Sequence, residues 1–276
     1  MKLSIGFSSC PNDTYIFDAL INKRIDTCGI DFDIHIADVE ELNARALNTE
    51  LDITKLSYHA FAHTNEVYKI LDSGSALGFA NGPLFIKNQD KEITKDSKIV
   101  LPGKNTTAHL LFSIAYTDFT NKEFMIFSDI ENAIKTGQAD AGVIIHENRF
   151  TYAERGFEKI CDLGEFWEQE SNCPIPLGAI TIKSNLDQKV QHLVNKLIRE
   201  SIEYANQNPQ DSKSYIKKYA QELSDEVIAK HINLFVNEYS VNLGDLGKNA
   251  ICTLFEKASK VGIIPKLNPK TIFLNP

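Results

Sequence analysis

No stretch of this 276-residue chain approaches the roughly 18 consecutive apolar residues that a membrane-spanning helix needs, so no membrane insertion is expected. A basic stripe is also missing. Lys and Arg number 29 against 37 Asp and Glu, a formal net charge of -8, whereas nucleic-acid binders present a basic face. The densest cationic cluster, residues 213–218, reads as a solvated helix face, and nucleic acid is excluded as a partner. Cysteines are few: Cys10, Cys28, Cys161, Cys173 and Cys252 make five, odd in number and widely spaced, with no CxxC. That fits buried thiols in a reducing cytoplasm better than a disulfide or zinc framework. Cys10 reads as a small residue in a tight turn with no activating partner evident. No GxGxxG follows the first strand, and neither GxxxxGK(S/T) nor HExxH occurs, which disfavours dinucleotide, P-loop and zincin chemistry. The opening MKLSIGFSSCPND has no signal-peptide core. A cytoplasmic location is expected.

What is present is ordinary globular material, 43% hydrophobic and 24% charged, in a length comfortable for two domains or one inserted into another. Residues 3–7 read as a strand, followed by a cap-rich turn and a helix carrying Tyr15, Ile16, Ala19 and Leu20 on one face. Ile30, Phe32, Ile34 and Ile36 alternate as a strand does. Residues 39–47 return to helical spacing and 53–56 to a strand. The polar stretch 88–95 reads as a crossover. A second cycle follows: strand 98–101, helix 108–116, strand 124–127, helix 129–137, strand 141–145 and strand 159–163. After an extended run at 175–182 the periodicity is helical only, with Ser224 as a cap and a last helix around residues 246–258. Two β/α cycles with a return strand and a helical tail predict an α/β, two-lobed, periodic layout of the type II periplasmic-binding-protein-like kind. The ligand cleft then lies between lobes at the carboxyl ends of strands. Residues 1–87 with 176–276 would form the larger lobe and 88–175 the inserted one.

Three loops that follow strands and open helices could bind an anion: 8–13, 57–59 and 105–108. Each offers free backbone amides with hydroxyl or amide side chains. Taken singly, each is an ordinary helix cap; three in one two-lobed chain point to a shared anionic ligand. His59 and His63 have the i, i+4 spacing of a zinc pair, but no third ligand is visible, and two partly exposed positions on a helix are the simpler reading. His146 is different. A run of five small or apolar residues, 141–145, delivers it to one rim, and a neutral imidazole suits proton abstraction next to a carbonyl. Glu147 in extended backbone would point the other way. Arg149 could orient the ring or hold an anion.

The segments SSCPNDTYIFDAL (8–20), DITKLSYHA (52–60), LPGKNTTAH (101–109) and AGVIIHENRFTY (141–152), with PIPLGAI (174–180) and QELSDEV (221–227), resemble the 1,4-dihydroxy-6-naphthoate synthase family of the futalosine route to menaquinone. The resemblance runs in order along nearly the whole chain. Two positions depart from it: Ser9, where that family more often has Pro, and Asn105, where some members carry His. The resemblance implies a two-lobed fold and a lyase that converts cyclic dehypoxanthine futalosine to 1,4-dihydroxy-6-naphthoate and dihydroxyacetone, without metal or organic cofactor. It places the catalytic histidine on His146 and ligand contacts on Lys55, Leu56, Ser57, Thr107 and Ala108. A small-molecule carboxylate substrate would suit an anion site at Thr106 and Thr107, with Asn12 and Asp13 also at the site and aromatic walls such as Tyr58, Phe150 or Tyr152. A homodimer is left open. Rival expectations are a chorismate dehydratase-like enzyme of the same pathway, a non-catalytic small-anion binding protein, and a regulator's effector domain, for which no residues remain to build a DNA-reading helix pair.

Overall fold

The computed structural model describes residues 1–274, the side chain of Glu147 excepted. Strand β1 (Lys2–Phe7) buries Leu3, Ile5 and Phe7, and helix α1 (Pro11–Ile21) covers it, with Phe7 and Phe17 stacked at 4.5 Å between ring centroids. Strand β2 (Asp31–Ile36), helix α2 (Val39–Leu47) and strand β3 (Ile53–Ser57) complete the first parallel units, β1 pairing both β2 and β3. Helix α3 (Tyr58–Thr64) follows directly, then the short strands β4 (Tyr68–Ile70) and β5 (Ala76–Gly78).

Strand β6 (Leu84–Asn88) enters a second sheet, joined by β7 (Ile99–Leu101), helix α4 (Thr107–Ala115), β8 (Lys122–Phe124), helix α5 (Ile130–Lys135), β9 (Ala141–Ile144) and β10 (Phe157–Asp162). Helix α6 (Leu163–Ser171) buries Trp167, whose indole N–H donates to the Pro174 carbonyl at 3.1 Å. The chain then returns to the first sheet as β11 (Ile175–Lys183), antiparallel to β3, β4 and β5. The first sheet runs β2-β1-β3-β11-β4 with β5 also on β11; the second runs β10-β6-β9-β7-β8. Helices α7 (Gln188–Gln207), α8 (Lys213–Tyr219), α9 (Asp225–Phe235), α10 (Glu238–Val241) and α11 (Gly244–Lys260) close the chain. Ser224 caps α9 by accepting from the Val227 amide at 3.3 Å, a contact of the kind that contributes about 1 kcal/mol. Among the described residues no helix is long and apolar enough to cross a membrane.

The elements fall close to the periodicity, with two differences. The expected strand 124–127 is instead β8, ending at Phe124, followed by a 3-10 turn at Phe127–Asp129. Its pairing to β7 starts at Lys122, and the polar first residues hid it. The second difference concerns the passage between sheets. β6 is hydrogen-bonded between β9 and β10, so by sheet membership the chain leaves the first sheet between Gly78 and Leu84, not after residue 87. The stretch 88–95 links two strands of one sheet. An apolar run such as Leu84, Phe85, Ile86 declares burial; nothing in its period says which sheet it joins. At the passage, the backbones of Gly82 and Gly164 nearly touch: a Cβ on Gly82 would lie 2.2 Å from the Gly164 nitrogen.

Candidate active site

The carboxyl ends of β1, β3 and β9, the starts of α1 and α4, one stretch of β11 and one face of α9 converge on a cleft. All nine residues expected at the site border it: Asn12, Asp13, Lys55, Leu56, Ser57, Thr106, Thr107, Ala108 and His146. They come from β3 and from helices and turns that flank both sheets. The aromatic wall is Phe235, with the His231 ring beside it at 4.6 Å; Tyr58, Phe150 and Tyr152 are not among the lining residues. Tyr58 is fully buried, its hydroxyl donating to Ser75 Oγ at 3.3 Å and its ring edge-on to Phe255.

One end of the cleft is a buried ion pair. Lys55 Nζ lies 2.7 Å from Asp13 Oδ1, with side chains 8% and 1% exposed. Asp13 is saturated. Its Oδ1 also accepts from Asn12 Nδ2 at 2.9 Å, and its Oδ2 accepts from the Ser8 amide and hydroxyl at 3.0 and 2.8 Å. With Asn12 Nδ2 turned to the carboxylate, Asn12 Oδ1 is left as an acceptor, and His231 Nε2 stands 3.0 Å from it. His231 therefore donates from Nε2. Burial holds its pKa down at about 3, with the His146 and Lys55 charges acting the same way. The ring is neutral, and its buried Nδ1 has no hydrogen-bond partner. The sequence reading missed His231, since a lone histidine on the apolar face of a tail helix carries no local sign of a cleft 219 residues away.

The opposite wall is built by the starts of α3 and α4. Ser57 Oγ accepts from Asn43 Nδ2 at 3.1 Å, and Thr107 Oγ1 accepts from the Tyr58 amide at 2.8 Å. A hydroxyl whose oxygen is held by a fixed donor has its own proton left to donate. Thr106 is used up: it donates to the Gly103 carbonyl and accepts from the His109 amide, as an N-cap. Asn105 ties this wall across the sheets. Its amide N–H and side-chain nitrogen both donate to Glu40 Oε1 at 3.0 Å, and its carbonyl accepts from the Ala60 amide at 3.1 Å. His59 is buried here and not partly exposed, as its spacing with His63 suggested. Burial first, then the neighbouring His109 and His63, lower its pKa to about 3. Among the described residues no group of three or more His, Cys, Asp or Glu could hold a metal ion.

His146 follows β9 at the rim. Its φ of 59° lies in the left-handed region, uncommon for a residue with a Cβ and held only where surrounding contacts impose it. Phe127 stands edge-on to the ring at 4.9 Å between centroids, and Cys10 Sγ lies 3.4 Å from Nδ1. The sequence showed no activating partner for Cys10; the structure places the His146 ring beside its sulfur, and the two residues are 136 apart in sequence, beyond any local pattern. Arg149 is a strut. It donates to the carbonyls of Gly82 and Ala80 and to Asp162 Oδ2 at 3.2 Å, and so braces the passage between sheets from inside the cleft. The orientation expected for Glu147 falls on a side chain outside the described residues.

Two α/β sheets with a polar cleft at their strand ends, reached by a chain that crosses out and returns, define a two-lobed protein of the periplasmic-binding-protein-like class. The solved structures agree. The periplasmic aliphatic sulphonate-binding protein of Escherichia coli superimposes with a TM-score of 0.67 at 14% identity, covering 100% of this chain and 92% of that one, which speaks to fold alone. A crystal structure of a protein from Archaeoglobus fulgidus does so at 0.90 and 33% identity, over 95% of this chain and 98% of that one. Within this class the chain belongs to the menaquinone-biosynthesis family, whose model matches residues 3–260. Two relatives are named 1,4-dihydroxy-6-naphthoate synthase. That of Thermus thermophilus is 37% identical over 272 residues, 99% of each chain. That of Streptomyces coelicolor is 35% identical over 275 residues, 98% of this chain and 97% of its own.

Proposed function

We propose that this chain is the carbon–carbon lyase that cleaves cyclic dehypoxanthine futalosine to 1,4-dihydroxy-6-naphthoate and dihydroxyacetone, with His146 as the general base. The observation that carries the reading is that His146 borders the same cleft as Ser57, Thr107 and the α4 start. Support from similarity is the activity for which the two relatives are named.

In this mechanism the ring carboxylate of the substrate lies at the α4 start, where the helix dipole and the Thr107 and Ala108 amides favour negative charge. His146 removes the proton next to the substrate carbonyl. The Ser57 and Thr107 hydroxyls, each already accepting from a fixed donor, donate to the oxygen on which charge develops. Breakage of the carbon–carbon bond is then driven by aromatisation. Lys55 is supplied with its counter-ion, so it adds a hydrogen-bond donor more than net charge. Asn12 and Asp13 hold Lys55 in place. The reading needs no metal or organic cofactor, places the enzyme in the cytoplasm, and takes the two sheets as the cores of the two lobes, divided within 79–83 and before Ile175.

The test is incubation of the purified chain with cyclic dehypoxanthine futalosine while following the naphthoate chromophore. His146→Asn keeps size and polarity and removes the base; turnover is expected to fall by about 10²–10⁴. Near-normal turnover of that variant would end the assignment. Product analysis with chorismate distinguishes the dehydratase, and absence of product with retained binding distinguishes a binding protein.

A further inference from the structure

We propose that Cys10 is a positioning residue for His146, its sulfur holding the imidazole by Nδ1 from the other side of the cleft. This rests on His146 being the base. The Sγ–Nδ1 distance is 3.4 Å. Cys10 precedes α1 beside the first sheet and His146 follows β9 of the second, so the contact forms only where the two sheets' strand ends meet.

The sulfur is presented from a rigid turn. The Cys10 amide donates to Ser8 Oγ at 3.3 Å, its carbonyl accepts from the Thr14 amide and hydroxyl at 3.0 Å each, and Pro11 follows. The ring side is equally constrained, by a left-handed backbone and by Phe127.

Tautomer chemistry sets the direction of the contact. A neutral imidazole carries one N–H. With Nδ1–H directed at sulfur, the lone pair is on Nε2, and the ring can take a proton there. When it does, the Nδ1–H···S contact persists, so one geometry serves both states. If the thiol donated to Nδ1 instead, Nε2 would carry the hydrogen and the ring would be no base. The sulfur is therefore the acceptor, a partner of the kind that fixes a histidine's tautomer and orientation.

The experiment compares Cys10→Ala, Cys10→Ser, His146→Asn and the double variant Cys10→Ala/His146→Asn in the full chain, with kcat and KM measured across pH and folding checked by thermal melts. Cys10→Ala is expected to lower kcat roughly tenfold, with KM within about twofold, and to move the acid limb of the kcat profile. Cys10→Ser, an acceptor on a shorter bond, recovers part of that loss. In the His146→Asn background Cys10→Ala has no further effect. A native kcat and acid limb in Cys10→Ala, or the same fold loss in both backgrounds, overturns the positioning role while leaving the base intact. Near-native turnover of His146→Asn overturns both, because no base is then left to position.

Discussion

Replacing Asp13 by alanine removes one partner from a buried ion pair and leaves the other in place. Lys55 Nζ, 2.7 Å from the lost carboxylate and 8% exposed, would be left buried without its counter-ion. Breaking such a pair on one side costs about 3–5 kcal/mol. The loss is deepened by the Ser8 amide, whose acceptor vanishes; a buried orphan donor alone costs about 1–3 kcal/mol. The two penalties overlap, since relaxation that rehydrates one rehydrates the other, so a total near 4 kcal/mol is expected. Urea denaturation followed by circular dichroism measures it. The companion is Asp13→Leu/Lys55→Met, which removes both charges; it should be less destabilising than Asp13→Leu alone, because no isolated ammonium remains. A loss below about 1 kcal/mol for Asp13→Ala, or a double variant that costs the sum of its singles, would refute the view that the pair is a mutually dependent buried unit.

Gly82→Ala forces a Cβ to within 2.2 Å of the Gly164 backbone nitrogen, where no flexible side chain can yield; a loss of about 2 kcal/mol or more is expected in thermal melts. Arg149→Met removes the donor shared by Gly82, Ala80 and Asp162 and should cost about 2–4 kcal/mol while raising protease sensitivity within 79–83. Acid stability should fall through a defined window. His59 and His231 have pKa values lowered from 6.5 to about 3, chiefly by burial, so between those values the unfolded chain binds more protons. The stability they contribute is fully present above about pH 6.5 and is lost as pH falls towards about 3, at about 1.4 kcal/mol per pH unit for each histidine in mid-window. Urea midpoints measured against pH should show this slope, and His231→Gln should flatten it. Asn105→Ala unties the second sheet's loop from Glu40 and should raise KM more than it lowers kcat.

The chain's sequence determined its local alphabet. Alternating Ile30, Phe32, Ile34 and Ile36 could only be a strand, Ser224 before Asp225 and Glu226 a helix start, and the apolar run into His146 a strand that delivers a polar group to an edge. The helix start at Thr106 was equally legible, because a cap acts over three or four residues. What only the tertiary structure decided is which of these ends face each other. The pairing of Cys10 with His146 spans 136 residues and that of Asn12 with His231 spans 219. The membership of β6 in the second sheet depends on β9 and β10, which come more than 50 residues later. Periodicity records whether a residue is buried, not against what. The same limit hid the spent state of Asp13 and Arg149: their types promised ligand contacts, and partners distant in sequence, Lys55 for the first and Gly82 and Ala80 for the second, had already claimed their hydrogen bonds.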